Sequence, residues 1–253
     1  MILYLDCYAG ISGDMTVAAL IDLGVPLEYI SSELSRLGIP ENSYTLSANR
    51  TERHSISALK FDVALSNYQT HRKYSDIAAM ISNSSLSDAV RSRSQSVFRR
   101  LAEAESKVHN VPIENVHFHE VGAVDSIVDI VATTIALDFL NIKEIYASPL
   151  PLGSGFVDSA HGRLPLPAPA TAELMQGIPV HTGCGPGERV TPTGAAIVAA
   201  LASGFGKQPP MILNKTGSGA GGKDFPDCPN IMRAFLGKPI QKTGESERVI
   251  VVD

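Results

Sequence analysis

The sequence predicts an α/β protein, with α+β as the alternative: an open mixed sheet flanked by helices. Three observations carry this. Met1–Asp6 alternates and runs through Gly10-Ile-Ser-Gly-Asp14 into an apolar periodic segment, which reads as strand, tight loop and helix. Tyr44–Arg50 and Ile56–Leu65 repeat on period two, as paired strands do. Ala123–Leu140 is apolar nearly all round, as in a buried helix, and a strand-like Glu144–Ala147 follows it.

Taken in order, the first helix stops near Leu23-Gly24. Pro26–Leu37 is a second helix with Gly38 as its stop, so residues 26–66 form a small βαββ-like segment. Asn67–Lys73 is a polar loop, and Ser75–Ile81 and Leu86–His109 are helical. Val116–His119 is a short alternating piece. Pro149, Pro151, Pro165, Pro167 and Pro169 then crowd a segment with Gly153, Gly155 and Gly162. Helices over Ala170–Gln176 and Thr193–Leu201 lead to strands near Met211–Asn214 and Asn230–Leu236. Residues 1–247 make one domain; 248–253 open a linker or strand leading to a separate C-terminal part.

Composition narrows the function. The 253 residues are 44% apolar and 19% charged, with a net charge of −5, so nothing broad attracts nucleic acid. Trp is absent and aromatics are 6%, too few for a base-stacking platform. No apolar run reaches the ~20 residues of a membrane span, and the start Met1-Ile-Leu-Tyr-Leu-Asp6 is no signal peptide. Cys7, Cys184 and Cys228 are odd in number and far apart, which suits reduced thiols and a cytoplasmic location.

The richest stretch is His117-Phe-His119-Glu120, followed by Asp125 and Asp129. In an extended segment His117 and His119 project together while Val116 and Phe118 pack inward. Asp125, Asp129 and Thr133 stack on one helix face. Two carboxylates on a buried helix repel unless a cation or donors compensate, which points to a metal or a polar guest. The alternative is a capping Asp125 and a solvated Asp129. Asp6 ends the first strand where open sheets bind ligands, so Asp6 and Asp14 are candidates for a hard cation, with Ser12 and Gly13 at a phosphate. Helix capping by Ser12 or Asp14 explains the same residues equally well. Thr191-Pro192-Thr193-Gly194 starts another helix, and Arg163, after His161, can clamp an anion. Gly217-Ser-Gly-Ala-Gly-Gly222-Lys223 nearly spells a P-loop, but Asp224-Phe225-Pro226 supplies neither the hydroxyl nor a helix, leaving a flexible Gly-rich loop.

Read together, Leu3–Asp6, Gly10–Met15, His117–Asp129, His161–Ala170 and Thr191–Ala196 closely resemble the LarC family of nickel insertion proteins. Gly219-Ala-Gly221, Pro229-Asn230 and Arg233 fit it as well, so the resemblance spans nearly the whole chain. It implies insertion of Ni(II) into pyridinium-3,5-bisthiocarboxylic acid mononucleotide, a lyase-class reaction. CTP and Mg(II) or Mn(II) are used, and the product serves a lactate racemase-type apoenzyme. Relatives often carry a His-rich tract where this chain has Asn67-Tyr-Gln-Thr-His-Arg-Lys73, in which only His71 and Arg72 persist. The CTP site is expected in the C-terminal part. On this basis His117, His119, Asp6, Asp14, Asp125 and Asp129 are metal candidates. Glu120 or His161 is the base that accepts a ring proton. Ser12, Gly13, Arg163, Thr191 and Thr193 hold the anionic mononucleotide. A homo-oligomer is expected. A nickel- or substrate-binding module without catalysis, and a metal-dependent phosphoester hydrolase, are the competing readings.

Overall fold

The computed structural model describes residues 1–66, 72–118, 123–159, 161–183 and 185–240. In chain order they form β1 (Ile2–Asp6), α1 (Gly13–Asp22), α2 (Leu27–Leu34), β2 (Tyr44–Arg53), β3 (Ile56–Leu65), α3 (Tyr74–Asn83), α4 (Asp88–His109) and α5 (Val124–Phe139). There follow β4 (Glu144–Ala147), β5 (Leu150–Pro151), β6 (Phe156–Ser159), β7 (Gly162–Pro165), α6 (Pro169–Leu174), β8 (Val180–His181), α7 (Pro192–Leu201), β9 (Gly204–Phe205), β10 (Met211–Ala220) and β11 (Ile231–Pro239). His119, Glu120, Cys184 and 248–253 lie outside the described residues.

Seven strands make one mixed sheet in the order β2-β3-β10-β11-β1-β4-β9, so the α/β reading holds. β1 runs parallel to β4 and antiparallel to β11. Residues 26–66 form α2 and the β2–β3 hairpin; no strand precedes α2 there, and β3 joins the main sheet beside β10.

The pleat decides what faces what. Leu3 and Leu5 alternate with Ile2, Tyr4 and Asp6, and Met232, Ala234 and Leu236 alternate with Ile231, Arg233 and Phe235. The first set belongs to the large core that holds Met15, Val17 and Leu20 of α1 and most of α5. On the opposite face Tyr4 and Phe235 lie with ring centroids 6.2 Å apart. As the sequence pattern required, Val116 and Phe118 are buried while His117 is exposed between them.

The Gly-rich run is not a loop throughout: Gly217–Ala220 is the end of β10. The reason is clearance. A Cβ at Gly219 would stand 1.9 Å from the Met15 carbonyl oxygen, and one at Gly217 would stand 2.3 Å from that of Ala19. Only a side-chain-free strand lets α1 lie this close.

Cys7 is a free, buried thiol, and burial pushes its pKa up. Cys228 is disulfide-bonded, which corrects the expectation of reduced thiols throughout. Separation along the chain concealed a spatial approach: Gly185 packs so tightly on Asp227 that a Cβ there would meet its carboxylate at 2.1 Å. Among the described residues no helix is long and apolar enough to cross a membrane.

Candidate functional site

Two helix starts from opposite ends of the sequence are laced together. The Ile11 N–H donates to the Arg189 carbonyl at 2.9 Å, and the Thr191 N–H donates back to the Ile11 carbonyl at 3.1 Å. Ser12 caps α1, its oxygen accepting from the Met15 N–H at 3.5 Å and its hydroxyl donating to the Asp14 carboxylate. Thr191 caps α7, accepting from the Gly194 N–H at 3.1 Å, with Pro192 in the first turn. Both starts open on a cavity of about 160 Å³ that is also lined by Arg189, Lys223 and Asn230. Asp14 and Glu188 line the cavity too, so its cations are matched in number by carboxylates, and the two helix N-termini are what tip it toward an anion.

Arg189 is 3% exposed, with its guanidinium carbon 3.6 Å from the centroid of Phe225. It donates to the Pro186 carbonyl at 2.9 Å. A planar cation held this firmly is poised for a planar anion. Sequence reading passed over it in favour of Arg163. Its signal was its place, two residues before the Thr191 cap. Arg163 lies on the β6–β7 hairpin with its guanidinium 4.7 Å from the Phe156 centroid. Thr193 is buried within α7 rather than at the cavity wall.

Behind the start of α1 stands Asp129. Its Oδ1 is out of solvent and has no hydrogen-bond partner, and neither has the buried Thr133 hydroxyl one turn further along α5. The Asp14 N–H donates to its carboxylate, which still has its pKa raised well above the usual range by burial, then by Asp14 and Asp125. Asp14 is raised too, chiefly by burial, with the Ser12 hydroxyl opposing. Gly13 makes this approach possible: a Cβ there would meet Asp129 Oδ2 at 2.5 Å. Asp125 accepts from the Ser126 N–H at 2.8 Å. The α5 stripe of Asp125, Asp129 and Thr133 thus exists, with two orphaned oxygens that a hard cation would satisfy. Among the described residues no three His, Cys, Asp or Glu side chains already converge at metal-binding geometry.

The remaining candidates are dispersed. Asp6 sits on the far face of the sheet, receiving the Arg233 Nε–H at 2.9 Å, because the pleat turns it away from Leu5 and the α1 side. A hydrolase built on Asp6 together with Asp14 therefore finds no support here. His117 pairs in a single bridge with Lys73 and lines a cavity of about 290 Å³ with His109. His161, at the β6–β7 turn, lines a larger cavity of about 380 Å³, again with His109. His109 was missed because it ends a helix whose charges read as a solvated face.

Comparison with known proteins bears on the family to which the chain belongs. The family model described as nickel insertion protein matches residues 3–253. Relatives named for nickel insertion include one from Pelobacter propionicus, 63% identical over 94% of this chain and 61% of its own length. Another, from Geobacter sulfurreducens, is 58% identical over 100% of this chain and 65% of its own. A third, from Dictyoglomus thermophilum, is 42% identical over 98% of this chain and 64% of its own. The chain thus spans just under two thirds of the length of these relatives. No solved structure matches. With a family model covering almost every residue and relatives of this closeness, the chain belongs to the nickel insertion protein family.

Proposed function

We propose that this chain carries the nickel-inserting half-site for pyridinium-3,5-bisthiocarboxylic acid mononucleotide. The observation that carries the reading is a shared wall. Glu188 lines both the 160 Å³ cavity and the 380 Å³ cavity, and the start of α7 sets Thr191 on the first and Pro192 on the second. The first offers helix N-termini, Arg189 and Lys223; the second offers imidazoles and carboxylates. An insertase must bring an anionic guest against a borderline cation, and these are the complementary linings.

In this mechanism the phosphate of the mononucleotide lies at the α1 and α7 starts, with Arg189 on an anionic oxygen or a thiocarboxylate. The two sulfurs then reach Ni(II) across Glu188. One ring C–H bond breaks as the carbon–nickel bond forms. Its electron pair goes to the metal, which stays Ni(II), and Glu188 takes the proton. Asp14, Asp125 and Asp129 would hold Mg(II) or Mn(II), which supplies charge neutralisation beside the phosphate. CTP is consumed with a C-terminal part, and the product passes to a lactate racemase-type apoenzyme.

The test is an insertion assay with Ni(II), the bisthiocarboxylate, Mn(II) and CTP, read by mass spectrometry, with and without that part. Arg189→Met is expected to raise the substrate Kd by about 10- to 100-fold, as loss of a charge-assisted pair of about 1.5–3 kcal/mol does. Unchanged Kd in a folded Arg189→Met variant would remove the guest from this cavity. Guest binding without metallation under every condition would favour the non-catalytic module.

A further inference from the structure

One wall of the 160 Å³ cavity is tied down from outside it. Between β10 and β11 the chain crosses residues 221–229 as a strap with neither helix nor strand. The strap supplies Lys223 and Phe225 to the cavity, and Phe225 is the ring on which the buried Arg189 lies. Its seat is close: a Cβ at Gly187 would stand 2.4 Å from Phe225 Cε1. At the far end the Asn230 amide donates to the Lys223 carbonyl at 2.9 Å.

Two further ties come from the turn of the β2–β3 hairpin, 168 and 171 positions away along the chain. Arg53 donates to the Gly221 carbonyl through Nε at 3.2 Å and Nη2 at 2.7 Å, and its Nη1 donates to the Glu52 carbonyl at 2.9 Å. His54 donates through Nε2 to the Phe225 carbonyl at 2.7 Å, since a carbonyl can only accept. Neither Arg53 nor His54 lines the cavity. The turn itself is strained. His54 and Ser55 are its two central residues, at φ 49 and 62, in the left-handed region where Asn-Gly is the usual pair. Side chains persist at such positions where surrounding contacts over-determine them, and the contact His54 makes is with the strap.

We propose that Arg53 and His54 are positioning residues for the anionic guest. They hold the strap at Gly221 and Phe225, which sets the Phe225 ring against Arg189 and keeps Lys223 on the cavity wall. The ring fixes the plane of the guanidinium, and a planar fork grips an anion only in the matching plane. A displaced strap therefore misaligns Arg189 and withdraws Lys223 while altering neither. Guest affinity is set in part by a turn that never touches the guest. The inference rests on the anion-cavity reading for its guest, and on the hydrogen bonds for its place.

The experiment uses the untagged full chain. It measures the Kd of the mononucleotide by calorimetry and, with no guest present, the rate of tryptic cutting after Lys223 by mass spectrometry. His54→Gly removes the imidazole and suits left-handed backbone, so the hairpin is retained. It is expected to raise the Kd about three- to tenfold, as loss of one hydrogen bond does, and to speed the cut. Arg53→Met is expected to act alike, and the double variant to weaken binding at least about tenfold. His54→Gln, which keeps an amide N–H for the same carbonyl, is expected to bring both readouts back to within about twofold of wild type. A folded His54→Gly variant with wild-type Kd overturns the positioning role, and so does a raised Kd with an unchanged rate of cutting. A loss that Gln does not rescue assigns the effect to the turn's backbone and overturns the role of the imidazole. If Arg189→Met loses affinity while His54→Gly and Arg53→Met do not, the guest reading stands without this inference. Inorganic phosphate is the second probe. A chain that binds phosphate in a His54-dependent way and does not bind the mononucleotide refutes the insertion reading and upholds the positioning role.

Discussion

Asp129→Asn is expected to stabilise the metal-free protein at pH 8 by about 2 kcal/mol, or roughly 4–8 °C in Tm for a chain of this size. The buried carboxylate has its pKa raised by burial, Asp14 and Asp125. Its folded pKa lies above its unfolded one, so the native state keeps the proton longer. Stability is greatest below the unfolded value of about 3.9 and falls, at about 1.4 kcal/mol per pH unit, until the folded value is passed. The amide of Asn carries no charge and still accepts from the Asp14 N–H, so the variant loses that slope. Mn(II) in the millimolar range should raise the Tm of the wild type and leave that of the variant unmoved. Thermal melts from pH 4 to 9, with and without Mn(II), check both statements. An Asn variant that is less stable at pH 8 and keeps the wild-type slope would show that Asp129 is ionised and satisfied.

Gly219→Ala should be among the most damaging single methyls in the molecule. The added carbon would lie 1.9 Å from the Met15 carbonyl oxygen and 2.9 Å from the Ala19 nitrogen, both of them α1 backbone. Neither can swing aside as a side-chain tip would, so α1 must lift from β10. That displaces the Ser12 cap and opens the packing of Val17 and Leu20. A loss above about 3 kcal/mol is expected, at the upper end of overpacking costs. Gly222→Ala, three residues on, meets nothing within 4 Å and should change stability by less than about 0.5 kcal/mol. Urea titration of the pair measures this, and equal losses would show that the glycines serve chain flexibility rather than clearance.

The helices and most strands were legible because they are written in local periodicity. The buried α5 stripe, the caps at Ser12 and Thr191 and the inward Val116 and Phe118 all follow from spacing. The site was only half legible. Asp6 ends a strand in the position where open sheets bind ligands, yet Leu3 and Leu5 already fix the core face, and period two sends Asp6 to the other. Arg189 has no pattern of its own; its worth comes from Phe225 and from the lacing of Ile11, which are contacts across the chain. His109 was masked by its helix, whose Arg and Glu residues argue for solvent while its last turn meets a hairpin some fifty positions later. The Gly-rich run misled for a different reason. Glycine signals turn and clearance alike, and only the presence of α1 above β10 tells them apart.

The seat of β11 has an effect on the order of events during synthesis. This strand lies between β1 and β10, so the first strand made waits for the last one described before its antiparallel side is closed. Asn230, at the entrance to β11, is also part of the cleft wall. A ribosome-bound nascent chain therefore lacks one wall of the 160 Å³ cavity, and one edge of β1, until residues 230–239 have emerged.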